Sequence, residues 1–561
     1  EGARTAADAH RYYEAYLAAL DAVARWGRGA PNERRPGISV KLSALHPRYE
    51  AVSRARVVDE LAPRLRELTR RARAHSLHLT VDAEEADRLE LSLDVIAAAL
   101  AGEDLRGWSG FGLAVQAYQK RASQVIDWVR DAACALDARL TVRLVKGAYW
   151  DSEVIRARQR GWPEPVFRSK ADTDANYEAL TRLLLRHTDH VRPAFGTHNL
   201  RSVAHAEAAA QATGLPPEAY EFQMIFGMAE PLQMAVSQMG RRVRLYTPIG
   251  QLLPGMAYLV RRLLENTSNE SFLRKEYSGS EPLDRLLAAP SADSSTFSLN
   301  DNGDHIGHVE TSVQFRNEPH TDFSQASARA AMSEAIAQVK DRLGRTFSSV
   351  FSSGRSSSRL ELLSRNPSAP SQVIGRLQAC EPSDVSKAVE AALGKGQEWD
   401  ALPAADRVRI LRKAAAAMRK RRFELAAWEI FETGKPWREA DADIAEAIDF
   451  LEFYAQDMNR LGRPLRLGHE PGEVNHLLYA PRGVAAVIAP WNFPLAIPTG
   501  MVSAALVTGN VVLFKPSERA LVMGALLTQL LMEAGVPEGV LQTLPGGLRS
   551  DRRWSRIRTS A

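Results

Sequence analysis

Short apolar runs recur through the first 250 or so positions, each followed by a helix-length stretch whose apolar residues fall three or four apart. The runs are SVKLSAL around Lys41, LHLTVDAE around Asp82, FGLAVQAY around Gln116, LTVRLVKG around Arg143, RPAFGTHN around His198, YEFQMIFG around Gln223 and RVRLYTPIG around Tyr246. Strands alternating with helices in this way predict an α/β fold with a parallel sheet and crossover helices. A segment of about 290 residues suits a (β/α)8 TIM-like barrel. The chain opens at Glu1 inside the helical pattern AADAHRYYEAYLAALDAVARW, with no strand before it. The expectation is therefore a fragment whose first barrel strand lies upstream of Glu1, leaving one seam open with an unpaired edge.

The pattern breaks after Leu287, where SADSSTFSLNDNGDHIGH is rich in Ser, Asp, Asn and Gly and reads as a linker or strap. Helical periodicity returns at Ala326 to Leu343, a serine-rich stretch follows to Ser358, and a second α/β region runs from about Val373 to Pro545. The expected division is a barrel at 1–290, a linker at 291–325, a second α/β domain at 326–546 and a tail at 547–561. The tail, GLRSDRRWSRIRTSA, carries five arginines and no periodicity directly after the well-formed GVPEGVLQTLPG. It reads as a frame slip at about Gly547, with a genuine basic tail as the alternative.

Composition narrows the function classes. The 561 residues are 45% hydrophobic and 25% charged, which is globular composition with room for roughly three or four domains. The 72 basic and 67 acidic side chains leave a formal charge of +5, and the arginines scatter rather than forming a nucleic-acid-binding stripe. Cys134 and Cys380 are the only thiols and lie far apart, which leaves no disulfide framework and no thiolate metal site and makes a reducing compartment the default. No apolar run reaches the length of a membrane span.

The chemistry of a barrel sits at the C-terminal ends of its strands. Lys41, Asp82, Gln116, Arg143, His198 and Tyr246 all fall near such ends, a set hard to reconcile with a plain core. Lys41, flanked by Val40 and Leu42, needs an anion, and Asp82 or a substrate carboxylate would serve. Arg143 sits in an apolar strand, where it could stabilise a ring that gains negative charge on reduction. In YLVRRLLEN, Tyr258, Arg261, Arg262 and Glu265 are three or four positions apart, so one helical face carries two guanidinium groups. Such forks bind planar carboxylates, making a small amino acid or a phosphate-bearing cofactor the natural guest. A metal-dependent barrel could assemble Asp82, Glu84 and His198, but Lys41, Arg143, Lys146, Arg261 and Arg262 would repel a divalent ion, so no metal is expected.

Longer motifs carry a resemblance. GISVKLSALHPRYE, VDAEEADRLELSLD, QAYQKR, RLVKGAYWDSE, THN, YEFQMIFGMAEPL, LYTPIGQLLPGMAYLVRRLLEN and FRNEPHTDF closely resemble the proline utilization A family. These bacterial proteins join an FAD-dependent proline dehydrogenase barrel to an NAD-dependent glutamate-semialdehyde dehydrogenase. The resemblance implies that Lys41, Asp82, Tyr246, Tyr258, Arg261 and Arg262 surround L-proline, with Ile225 as an apolar wall over its ring. It implies FAD contacts from Gln116, Arg143, Val145, Lys146, Gly147, Ala148, Trp150, Lys170, His198 and Glu265, with Arg143 near the flavin N5. Members of the family often have Thr-Arg-Lys where this chain has Arg168, Ser169 and Lys170, which puts that arginine's flavin contact in doubt.

The second region resembles the cofactor-binding, Rossmann-type part of aldehyde dehydrogenases through VIAPWNFPL and GNVVLFKPSE. By that resemblance Asn492 helps bind the thioester oxyanion, and Lys515, Ser517 and Glu518 hold the adenosine ribose of NAD. The family's catalytic thiolate lies downstream, so this domain is expected to be truncated, its NAD site incomplete and semialdehyde oxidation lost. The resemblance further implies a cytoplasmic protein, peripheral on the inner face of the bacterial inner membrane, that passes electrons to a membrane quinone and is a homo-oligomer at full length. The competing reading is an inactive, poorly folded fragment that only binds partners or aggregates.

Overall fold

Strand alternation separates two chemistries in the first half of the chain. In the computed structural model, which describes residues 2–29, 34–248, 256, 260, 287–290, 315–348, 358 and 360–546, seven strands form one parallel sheet in sequential order. They are β1 (Gly37–Val40), β2 (His78–Val81), β3 (Phe111–Gln116), β4 (Leu140–Val145), β5 (Val191–Gly196), β6 (Glu221–Ile225) and β7 (Val243–Tyr246). Sequential order is that of a barrel wall, not of a doubly wound sheet, whose strand order reverses.

Register does the sorting. Arg143 stands opposite Ala114 and Ala194, Ala194 opposite Glu221, Gln223 opposite Arg244, and Ile225 opposite Tyr246. Paired residues share a face of the sheet, so these side chains line the concave side. The alternate residues Leu79, Val81, Leu113, Val115, Val142, Leu144, Phe195, Phe222 and Met224 are buried in the apolar core.

The outer layer is α1 (Ala6–Trp26), α2 (Arg54–Ala74), α3 (Leu89–Leu100), α4 (Ala122–Leu136), α5 (Trp150–Arg160), α6 (Lys170–Arg186), α7 (Leu200–Ala212) and α8 (Glu230–Gln238). α1 starts with a capping box in which Thr5 accepts from the Asp8 N–H at 3.1 Å and Asp8 accepts from the Thr5 N–H at 3.1 Å. α2 buries Val57, Leu61, Leu65, Leu68 and Ala72, the stripe its three- and four-residue spacing predicts. The SVKLSAL run is strand only as far as Val40. The Ala44 N–H turns back to the Lys41 carbonyl at 3.1 Å, and Leu42–Ala44 coil into a 3₁₀ turn whose side chains are buried. Apolar alternation there marks a buried turn, since burial does not require a strand.

The chain divides into two compact units, Glu1–Gln159 with Pro163–Gly307 and Arg160–Trp162 with His308–Ala561. The second contains α9 (Ala326–Lys340), a sheet in the order β8 (Arg345–Thr346), β10 (Ala369–Gln378), β9 (Glu361–Asn366), and the helices α10 (Pro382–Ala401), α11 (Ala404–Lys420), α12 (Arg422–Thr433) and α13 (Trp437–Leu461). A short hairpin, β11 (Leu465–Arg466) and β12 (His476–Leu477), precedes the parallel sheet β13 (Val484–Ile488), β14 (Val511–Lys515), β15 (Leu541–Thr543). Crossover helices α14 (Ala496–Val507) and α15 (Leu521–Ala534) link these three strands, and β14 is buried along its whole length, as a strand covered on both faces should be.

Two buried ionisable side chains hold the second unit together. The Arg407 guanidinium donates to the carbonyls of Val507 (2.9 Å), Trp399 (3.2 Å), Asp400 (3.2 Å) and Leu402, tying the ends of α10 and α14. The Glu432 carboxylate accepts from the Val522 and Met523 N–H groups, both at 2.8 Å, and from Ser364 Oγ at 2.6 Å, capping α15.

Candidate active site

The barrel's concave face holds one connected polar cluster centred on Arg143. Its Nη1 meets Asp82 Oδ1 at 2.6 Å, its Nε donates to Gln223 Oε1 at 2.6 Å, and its Nη2 donates to Ser39 Oγ at 3.0 Å. The guanidinium therefore gathers β1, the end of β2 and β6 onto β4. Its flanking register partners, Ala114 and Ala194, have the smallest chiral side chains, which leaves room for it to cross the barrel. The Tyr246 ring lies 5.4 Å from the guanidinium carbon, and the Tyr246 hydroxyl reaches Asp82 Oδ2 at 3.4 Å. Burial raises the Asp82 carboxyl above the ordinary carboxylate range in spite of Arg143 and Tyr246.

The cluster continues below the mouth. Gln223 Nε2 donates to Glu221 Oε1 at 2.6 Å, and Arg244 grips Glu221 through Nε at 2.8 Å and Nη2 at 3.1 Å. Burial alone would raise Glu221, but Arg244 and Gln223 outweigh it and hold the carboxyl below its ordinary value.

Lys41 follows β1 at the mouth, and its N–H donates to the Tyr16 hydroxyl at 3.0 Å. Burial, with the Asp82 and Glu84 carboxylates nearby, pushes that phenol up to about 12. The Lys41–Asp82 pairing that the strand pattern suggested is not formed. Arg143 reaches Asp82 first because Ala114 clears its path, and among the described residues no carboxylate pairs with the Lys41 ammonium. Ile225 and Tyr246 are register partners on β6 and β7 and share one face, as two walls of a common pocket would. Tyr258, Arg261, Arg262 and Glu265 lie outside the described residues.

A second group surrounds the ends of β3, β4 and β5. Val145 is the register partner of Gln116, whose side-chain amide donates to the Glu84 carbonyl at 3.2 Å. The carbonyls of Val145 and Lys146 accept from Ala117 and Tyr118, each at 2.8 Å. Lys146 and Lys170 converge on Asp174 at 2.5 and 2.9 Å. Burial pulls the Lys146 ammonium below its ordinary value, although Asp174 opposes this. Gly147 has φ +136°, and a Cβ there would fall 2.4 Å from the Tyr118 ring, so the position admits only glycine. Ala148 is exposed beside it, and Trp150 Nε1 donates to the Phe167 carbonyl at 2.8 Å. His198 Nε2 accepts from the Ile225 N–H at 2.8 Å, which leaves the ring proton on Nδ1. Arg168 is turned to Glu164, at 2.5 Å, and the Ser169 hydroxyl caps α6.

Asp82, Glu84 and His198 do not assemble as a metal set. Glu84 is taken by the Ser43 N–H at 2.9 Å and by Arg88 at 2.7 Å, while the other two serve Arg143 and Ile225. Sequence reasoning passed over Ser39, Glu221, Gln223 and Arg244. The available signal was a polar side chain at every second position of the apolar strands EFQMI and VRLY. A groove of about 370 Å³ lined by Leu100, Arg106, Trp128 and Leu136 lies at the C-terminal ends of α3 and α4. Those helices run back against the strands, so this groove is on the face opposite the mouth, away from the polar cluster.

In the second unit, Asn492 is exposed on the turn after β13, Lys515 is the buried last residue of β14, Ser517 accepts from the Arg519 N–H at 3.3 Å, and Glu518 is exposed. Beneath that turn Lys435 meets Glu429 at 2.8 Å and Asp443 at 3.7 Å and lies 4.5 Å from the Phe493 ring centre. Burial and then Asp443 push Glu429 well above its ordinary range.

Residues 1–275 match the proline dehydrogenase family and residues 355–552 the aldehyde dehydrogenase family, so the chain is a proline dehydrogenase barrel followed by an aldehyde dehydrogenase domain. Over 561 residues it is 37% identical to the bifunctional protein PutA of Escherichia coli (strain K12), with 97% of this chain and 41% of that protein aligned. A 1-pyrroline-5-carboxylate dehydrogenase of Bacillus subtilis (strain 168) is 41% identical over 234 residues, 42% of this chain and 45% of that protein. The crystal structure of PutA from Bdellovibrio bacteriovorus inactivated by N-propargylglycine superposes with a TM-score of 0.88 at 37% identity, covering 98% of this chain and 57% of that one. The chain belongs to the PutA, or proline utilization A, family. It spans about two fifths of the length of the full PutA relatives it matches, the E. coli protein among them.

Proposed function

We propose that the first unit oxidises L-proline to 1-pyrroline-5-carboxylate, with FAD as the electron acceptor. The observation that carries this reading is the Arg143 cluster on the inner face of a proline dehydrogenase barrel, where Asp82, Gln223 and Ser39 fix a cation at the strand mouth.

The donors around β3 to β5 fit an anionic dinucleotide with polar ring edges: the Gln116 amide, the Arg143 guanidinium, the Lys146 and Lys170 ammoniums and the His198 Nδ1–H. With Val145, Gly147, Ala148, Trp150 and Glu265 these residues would hold FAD. When bound, FAD supplies a two-electron acceptor. By the same reading Lys41, Arg261 and Arg262 would bind the proline carboxylate, Ile225 would wall the ring, and Asp82, Tyr246 and Tyr258 would be the other residues around the substrate. The work of these residues is positioning, and the surrounding cations favour the negative charge that builds up on reduction.

The second unit would supply Lys515, Ser517 and Glu518 toward NAD and Asn492 toward a thioester oxyanion, but in this reading it does not complete glutamate-semialdehyde oxidation by itself. Cys134 lies on a barrel helix, and burial, with Asp384 and Glu381 nearby, pushes the Cys380 thiol up to about 12, the opposite of an activated nucleophile. Membrane quinone reoxidation, peripheral contact with the bilayer and homo-oligomerisation are carried as parts of the same proposal for the whole protein. No helix among the described residues is long and apolar enough to cross a membrane.

The test is direct. Protein supplied with FAD should turn yellow and bleach when L-proline is added under anaerobic conditions, and Arg261→Met with Arg262→Met should raise KM for proline by at least tenfold. A flavin that stays oxidised in the presence of proline would overturn the assignment.

A further inference from the structure

The inner face of the barrel carries an ordered column of alternating charge. It runs from Asp82 to Arg143, through the Gln223 amide to Glu221, and on to Arg244, whose Nη1 donates to the Arg35 carbonyl at 2.9 Å. Only the upper end of this column faces the mouth. The lower end, Glu221 and Arg244, was assigned no role by the sequence and is hydrogen-bonded to none of the described residues placed around proline or FAD.

The Gln223 side chain decides how the column is wired. An amide has one acceptor end and one donor end. Here the acceptor end takes the Arg143 Nε–H at 2.6 Å and the donor end serves Glu221 Oε1 at 2.6 Å. Turned over, it would set an NH₂ against the Arg143 Nε–H and a carbonyl against a carboxylate, two repulsive contacts in a buried place. Glu221 can hold this orientation only while it is an acceptor at both oxygens, and the twofold grip of Arg244 keeps it so. Burial of Glu221 and its depressed protonation agree with that state.

We infer that Glu221 and Arg244 are positioning residues for the proposed oxidation: by locking the Gln223 amide they aim the Arg143 guanidinium at the strand mouth. The role rests on the proposed function in one respect, namely what Arg143 then does to the flavin. The aim of Arg143 itself is a property of the folded chain. A residue that merely filled the barrel would not need to be an acceptor, so Glu221→Gln, which preserves shape and offers a competing donor, separates the two roles.

Two readouts on the full chain test this. The first is a double-mutant cycle on the urea midpoint, with Glu221→Gln and Arg143→Lys in wild-type and in Gln223→Leu backgrounds. Glu221 and Arg143 do not touch, so their effects should be non-additive only while Gln223 joins them, and additive with leucine at 223. The second, on the FAD-loaded protein, is the flavin midpoint potential together with kcat per bound flavin. Glu221→Gln should move the potential negative and lower kcat about tenfold while leaving KM for proline within twofold, because Glu221 is not among the residues assigned to the proline carboxylate. Additivity in both backgrounds, or an unmoved potential and kcat per flavin, would overturn the role. If no flavin binds, the proposed function fails and the stability cycle alone decides the positioning role.

Discussion

Arg143 and Asp82 are joined at 2.6 Å although strand β3 lies between β4 and β2. The contact is possible because β3 presents Ala114 in line with both, and only a methyl group stands in the way. The pair is largely withdrawn from water, the arginine side chain being 12% exposed and the aspartate 29%. Breaking such a pair leaves an uncompensated charge, which is where its energetic leverage lies.

Arg143→Met and Asp82→Asn should each lower unfolding stability by roughly 3 kcal/mol, and the double variant should lose less than the sum by about 1 to 3 kcal/mol. Urea denaturation of the four proteins measures this. Strict additivity would mean that the two charges do not sense each other in solution.

Gly147→Ala should be severe for its size. Its φ of +136° is one that residues with a side chain rarely adopt, and the new Cβ would meet the Tyr118 ring at 2.4 Å. Since the Val145 and Lys146 carbonyls are tied to Ala117 and Tyr118, the loop cannot rotate away. A loss of roughly 1 to 3 kcal/mol is expected, together with loss of flavin retention on gel filtration. Full retention of flavin at wild-type stability would show that the loop is looser than its geometry implies.

Stability of the second unit should fall as pH rises past the ordinary carboxylate range. Burial pushes the Glu432 carboxyl up to about 7 against the pull of Ser364 and the α15 N–H groups, from 4.5 when free. The folded state therefore holds a proton that the unfolded chain has released. This contribution is complete below pH 4.5 and disappears as pH passes 7, an order of roughly 3 kcal/mol in all. Hydrogen exchange at the Val522 and Met523 amides, corrected for the intrinsic rate, follows it. Glu432→Gln should flatten the slope, whereas an identical slope in that variant would assign the titration elsewhere.

The barrel strands were legible because their inner and outer faces differ in chemistry, so even a single strand such as FGLAVQ announces its register. Arg143 was legible too, as a charge inside an apolar run. Its partners were not: Ser39 and Gln223 lie 104 and 80 positions away, and only the closure of non-adjacent strands brings them together. The same distance decides between the two anions the sequence offered Lys41: its near neighbour in the ladder, Asp82, is held by a longer side chain from β4, and a substrate carboxylate remains the other candidate. Gln223 and Glu221 were visible as polar alternation inside YEFQMIFGMAEPL but were given no role there, and a relay cannot be read from one strand.

The thiols provide the last prediction. Cys134 is exposed on α4, whereas Cys380 is buried behind β10, its N–H bonded to the Pro545 carbonyl at 2.7 Å. With its thiol near 12, Cys380 presents a thiolate fraction of about 10⁻⁴ at pH 8, and the surrounding chain shields even that. Iodoacetamide at pH 8 should therefore modify Cys134 readily and Cys380 at least a hundredfold more slowly, the two separated by peptide mass spectrometry. Adding 6 M urea should bring the rates together, because the protection is conformational. Rapid alkylation of Cys380 in the folded chain, slowed by NAD or by an aldehyde, would mean that the second unit carries a working nucleophile after all, and the view that it cannot complete aldehyde oxidation by itself would have to be abandoned.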